Sequence, residues 1–174
     1  MAMDAKPSIV FVGVDPAFRI GGFWACFLDY TDRTATFRQF RDVLDFDRFI
    51  QSPDAPEHAF FCVENSNLQN QNFDMTGNRA EIARKGRNVG TNQAASELTV
   101  RSVCDRYGQN SVMNISPRQK GAKWPESTFQ VCARQDRVTL VGYTGNQDQR
   151  DAFKLATIAA TQRRFHKDVR YTHG

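Results

Sequence analysis

Residues 8–15 read Ser-Ile-Val-Phe-Val-Gly-Val-Asp, a nearly unbroken apolar run rich in β-branched side chains, and Pro16 follows at once. A run of that length without polar alternation predicts a strand covered on both faces, as in the middle of an α/β sheet. Proline has no N–H to give to a ladder, so the strand must stop there. Asp15 is left at its carboxyl end, where open α/β sheets present their clefts.

Working outward, Gly21-Gly22 marks a turn, and residues 23–30 and 34–40 predict two strands in hairpin succession joined at Thr31-Asp32-Arg33. Val43, Leu44, Phe46, Phe49 and Ile50 recur at helical spacing within 42–51, and Ser52-Pro53 closes that helix. A second buried run, 58–64, also ends in a carboxylate, Glu64, followed by the polar loop Asn65 to Asn72. Residues 75–91 read as a basic loop. A helix over 92–107 turns Ala95, Leu98, Val103 and Cys104 inward and stops at Gly108, and a fifth strand follows at 111–115. A closing helix over 147–165 carries the stripe Ala152, Leu155, Ala156 and Ala159, with Asp148 and Asp151 in its first turn. The order predicts one α/β domain over 1–174, a five-stranded mixed sheet flanked by helices.

Composition narrows the classes. With 174 residues and 40% apolar side chains the chain is long enough for a full core without disulfide or zinc staples. No apolar stretch nears the roughly 20 residues of a membrane span, and the run at 9–14 is too short for a signal peptide, so a soluble, cytoplasmic protein is expected, with no membrane partner. Cys26, Cys62, Cys104 and Cys132 are widely spaced and read as reduced core thiols, and His58, His166 and His173 lack ligand spacing. Any metal would have to use carboxylates. The net charge of +4 suits an anionic partner, and basic residues gather at Arg79, Arg84, Lys85, Arg87, Arg101 and Arg106, at Arg118, Lys120 and Lys123, and near the C-terminus. Each cluster alone is compatible with a plain solvated face.

Four acids stand out: Asp15 and Glu64 at two strand ends, and Asp148 with Asp151 on one helix face. Singly, each has an ordinary explanation as a turn former, an ion-pair partner or a helix cap. Together they are different, because like charges a few Å apart raise one another's pKa or require a cation between them. Hard divalent ions accept such oxygen ligands, and a pair of ions about 4 Å apart can activate water and stabilise the leaving oxygen of a phosphodiester.

The segments Gly13-Val14-Asp15-Pro16-Ala17-Phe18-Arg19-Ile20-Gly21-Gly22-Phe23, Phe60-Phe61-Cys62-Val63-Glu64 and Asn146-Gln147-Asp148-Gln149-Arg150-Asp151-Ala152 resemble the RuvC-type Holliday junction resolvases, in a compact phage-like version, of the ribonuclease H-like superfamily. The resemblance implies a ribonuclease H-like fold, a homodimer, and a structure-selective endonuclease that nicks four-way DNA junctions symmetrically with two Mg2+ ions, Mn2+ serving as a substitute. It implies Asp15, Glu64, Asp148 and Asp151 as metal ligands. It also implies a lysine near the scissile phosphate after the fifth strand, for which Lys120 in Ser116-Pro117-Arg118-Gln119-Lys120 is the candidate and Lys123 the competitor. The family's junction wedge falls in the Asn/Gln-rich stretch that offers Leu68 and Phe73. The region 75–91 would lead into the interface helix. Arg79, Arg84, Lys85, Arg87, Arg118, Lys123 and Phe73 are then the DNA-binding candidates.

Two alternatives share the fold: a nuclease for other branched or RNA-containing substrates, and a non-cleaving DNA-binding module. An actin-like ATPase, suggested by the first motif alone, lacks the length and the phosphate loops.

Overall fold

The structure, a computed structural model, describes residues 8–17, 21–68 and 78–171. In chain order these form β1 (Val10–Asp15), β2 (Phe23–Asp29), β3 (Thr34–Phe40), α1 (Val43–Gln51), β4 (Ala59–Glu64), α2 (Arg79–Tyr107), β5 (Val112–Ile115), α3 (Pro117–Lys120), α4 (Glu126–Gln135), β6 (Thr139–Val141) and α5 (Gln147–Tyr171). The sheet is mixed and six-stranded, in the order β5-β4-β1-β2-β3-β6. β2 runs antiparallel to both its neighbours, and every other pairing is parallel.

The buried runs are explained by helices on both faces. Val12, Val14, Phe23, Ala25, Phe61 and Val63 pack with Val43, Phe46 and Ile50 of α1 and Val103 of α2. The alternate residues Trp24, Cys26 and Leu28 pack with Phe129 of α4 and with Ala152, Phe153 and Ala156 of α5. Cys62 and Ile115 meet Leu155 and Ala159, again of α5. Because side chains alternate along a strand, Asp15 falls on the same side as Gly13, and Glu64 on the same side as Cys62. That is the α5 side for both. The register pairs Val14 with Val63 in parallel, so Asp15 and Glu64 stand one residue beyond, at adjacent strand ends.

The structure differs from the sequence expectation in several places. The sheet has a sixth strand: Thr139–Val141 pairs in parallel with Thr34–Thr36 at the edge. It is three residues long, mostly exposed, and bracketed by Arg137 and Gly142 at positive φ (54° and 74°), so it carries no apolar run to announce it. The helix α4 is a second addition to the expected elements; it commits only Phe129 and Ala133 fully to the core, so its apolar pattern is thin. Finally, the basic segment is helical from Arg79 onward, not a loop up to Thr91. Asn78 and Glu81 form a capping box, the Glu81 N–H donating to Asn78 Oδ1 (3.0 Å) and the Asn78 N–H to Glu81 Oε2 (3.2 Å). Gly86 and Gly90, each worth about 1 kcal/mol against a helix, hid that start. The last helix likewise runs to Tyr171, beyond the expected 165.

Candidate active site

Asp15, Glu64 and Asp148 line one open cleft of about 640 Å3, together with Pro16, Gly22, Ser66, Thr91, Asn92 and Ser96. β1 and β4 deliver the first two acids by register, and α5 delivers Asp148 in its first turn with Asp151 just beyond it, not in that turn. The approach of α5 is set by small residues. Ala152, Ala156 and Ala159 are fully buried, and a Cβ on Gly13 would overlap the Ala152 carbonyl oxygen and the Ala156 nitrogen. Glycine at 13 is thus what lets the helix backbone lie against β1 and bring its acids to Asp15.

Lys120 arrives from the opposite edge. Ser116-Pro117-Arg118-Gln119 builds a one-turn helix with its own capping box, Gln119 N–H to Ser116 Oγ (3.2 Å) and Ser116 N–H to Gln119 Oε1 (2.8 Å), with proline at the first position. Lys120 is its last residue and is 8% exposed. Its ammonium pairs with Glu64 Oε2 and lies 3.1 Å from Asp151 Oδ2. Lys123, the competing lysine, is exposed.

The electrostatics follow from this crowding. Burial raises the Asp15 carboxyl to about 7; Lys120 opposes the rise, while Glu64, Asp151 and Asp148 add to it. Burial works to lower the Lys120 ammonium, and the Asp15, Glu64 and Asp151 carboxylates reverse that and raise it. Several carboxylates thus share one buried cation, an excess of negative charge of the kind a hard divalent ion relieves. Among the described residues no three acidic, histidine or cysteine side chains gather as a ready metal cage. Lys120, between Glu64 and Asp151, holds part of that space. The donor set, all carboxylate oxygen, fits Mg2+ or Mn2+.

The other candidates are more scattered. Arg79, Arg84 and Arg87 are exposed on the first half of α2, whose later residues Thr91, Asn92 and Ser96 face the cleft; Lys85 belongs to the same helical stretch. Arg118 is exposed on α3. Phe73 lies outside the described residues, and Leu68 is exposed at the end of a short 3-10 turn. Trp124 packs beside α4 and α5, with Lys154 over its ring at 5.1 Å.

Several site residues had no motif to reveal them. Ser96 donates to the Glu64 carbonyl oxygen (3.1 Å) and so ties α2 to the end of β4. Gln149 is fully buried: its Oε1 accepts from the Thr144 N–H (2.9 Å), and its Nε2 donates to the Gly142 carbonyl oxygen (2.8 Å). It therefore folds the loop that sets where α5 begins. The chain matches no protein-family model and no curated protein.

Proposed function

We propose that this protein is a metal-dependent endonuclease of the ribonuclease H-like type that resolves branched DNA, four-way junctions foremost, as a homodimer. The observation that carries the proposal is the meeting of Asp15, Glu64 and Asp148 in one cleft, with Lys120 paired to Glu64 and to Asp151, also of α5. The topology is in keeping with it. A mixed sheet with only β2 reversed and helices on both faces is compatible with that fold type, though it has six strands where the resemblance implies five.

Asp15, Glu64, Asp148 and Asp151 would hold Mg2+, which when bound supplies an activated water and charge stabilisation at the phosphodiester. The protein's own part is positional. The strand ends fix Asp15 and Glu64 side by side, and the Gly13 contact fixes α5. Lys120 offsets part of the negative charge of Glu64 and Asp151 and would supply a cation beside the reacting phosphate. Arg79, Arg84 and Arg87, exposed on α2, with Arg118 on α3 and Lys123 just after it, are the candidate contacts for the sugar-phosphate backbone, and Lys85 belongs to the same α2 stretch.

The test is cleavage of a labelled synthetic four-way junction beside linear duplex, flap and RNA–DNA hybrid, with Mg2+ or with chelator. Paired symmetric nicks in the junction, dependent on metal, are expected. Metal-dependent cutting of another substrate alone would keep the site and overturn the junction assignment. Binding without cutting under Mg2+ or Mn2+ would overturn the nuclease reading.

A further inference from the structure

Asp151 is held from two sides, and one of them involves residues with no part in the acidic cluster. Gln147, the first residue of α5, donates its Nε2 to Asp151 Oδ1 (2.8 Å). Its Oε1 accepts from Arg150 Nη2 (2.9 Å). Arg150 is itself immobilised: Nε donates to the Trp124 carbonyl oxygen (3.1 Å), and Nη1 donates to Glu126 Oε2 (2.8 Å), the Gly145 carbonyl oxygen (2.9 Å) and the Tyr143 hydroxyl (3.3 Å). Its side chain is only 13% exposed. Tyr143 donates to the same Glu126 oxygen and closes the network.

A guanidinium has only donors and a carboxylate only acceptors, so a side-chain amide between them has a single satisfied orientation. Flipping Gln147 would set its NH2 against Arg150 and its oxygen against Asp151. We infer that Gln147, locked by Arg150, is a positioning residue that fixes the Asp151 carboxylate against Lys120. The inference rests on the metal-dependent reading of the site. Partners of this kind behind a ligand typically contribute 10- to 100-fold in metal affinity. A bare tie at the start of α5 would affect stability and not metal affinity, which separates the two roles.

The experiment measures Mn2+ binding to the full chain without DNA, by electron paramagnetic resonance, for wild type, Gln147→Met, Arg150→Met and the double variant, with thermal midpoints alongside. Gln147→Met should bind Mn2+ about 10-fold more weakly while its midpoint stays within a few degrees of wild type. Arg150→Met should weaken binding too, and should cost no further affinity in the Gln147→Met background, because it acts through that amide. On a junction substrate, kcat should fall while KM holds. Unchanged Mn2+ affinity in a folded Gln147→Met protein would overturn the inference alone. A wild-type chain that takes up no Mn2+ would overturn the metal-dependent reading, and this inference with it. Should Arg150→Met fail to fold, the single Gln147→Met comparison still decides.

Discussion

Gly13 of β1 lies directly under Ala152 of α5, with no room for a Cβ between the strand and the helix backbone. Two carboxylates of the site come from that helix and one from the end of that strand, so this contact sets the geometry of the cluster. Since the obstruction is the Ala152 carbonyl oxygen and the Ala156 nitrogen, shrinking a neighbouring side chain offers no relief. Gly13→Ala should cost about 3 kcal/mol or more, lowering Tm by roughly 6–12 °C or preventing folding. Urea unfolding followed by circular dichroism measures it; near-wild-type stability would show that α5 can shift, and the cluster with it.

Lys120 is the buried counter-ion of Glu64 and Asp151, and removing one partner of such a group strands the others. The ammonium's value is raised in the folded protein, so its contribution is whole below the ordinary lysine value and is lost only as pH rises through the folded one. Lys120→Met should therefore be less stable than wild type by about 3 kcal/mol in chelator from pH 7.5 to 9.5. Added Mg2+ should recover much of the difference. Thermal scans across that pH range, with and without Mg2+, would show it; no loss would mean the carboxylates are relieved in another way.

Asp15 shifts stability in the same direction with pH, but in a much lower window. Its folded value near 7 lies above the ordinary carboxyl value, so between about pH 4 and 7 the folded state holds a proton that the unfolded state has released. Stability from this group accordingly falls as pH rises through that window and stays low above it. In chelator at pH 8, Asp15→Asn should exceed wild type by about 4 kcal/mol, and the gap should vanish near pH 4. The same variant should bind junction DNA as well as wild type or better, and not cleave it. Joint loss of folding and binding would contradict both statements.

Arg84 and Arg87 are exposed on α2, so replacing them should leave Tm within about 1 °C. If each neutralises one phosphate, Arg84→Ala with Arg87→Ala lowers the slope of log Kd against log salt by about 1.8 on duplex arms. Fluorescence anisotropy over a salt series gives the slope. An unchanged slope would place the DNA elsewhere.

The four cysteines are free; Cys26 and Cys62 are buried, Cys104 and Cys132 partly so. Burial pushes the Cys26 thiol well above its ordinary value, and burial with the Glu64 charge takes Cys62 to about 12. A thiol-disulfide probe at pH 7.5 should label Cys104 and Cys132 in the native protein, and Cys26 and Cys62 only on unfolding. Mass spectrometry of partly labelled protein distinguishes them.

Much of the fold was legible because burial on both sheet faces writes long apolar runs, as in 8–15 and 58–64, and because Ala152, Leu155, Ala156 and Ala159 mark the packed face of α5. The edge strand Thr139–Val141 and α4 left little trace, since an edge strand has few side chains to hide and α4 commits only two fully. Local chemistry hid the start of α2, where two glycines outweighed the Asn78 capping box. The sequence by itself determined that Asp15 and Glu64 end strands and that Asp148 and Asp151 share a helix, since periodicity and proline placement are local properties. Only the tertiary structure decided that Lys120, not Lys123, enters the acids, and that Gln147 and Arg150 stand behind Asp151. Those contacts join residues up to 56 positions apart, such as Lys120 and Glu64, through the close approach of α5 and the turn of α3. No spacing in a chain encodes where two packed elements bring their side chains together.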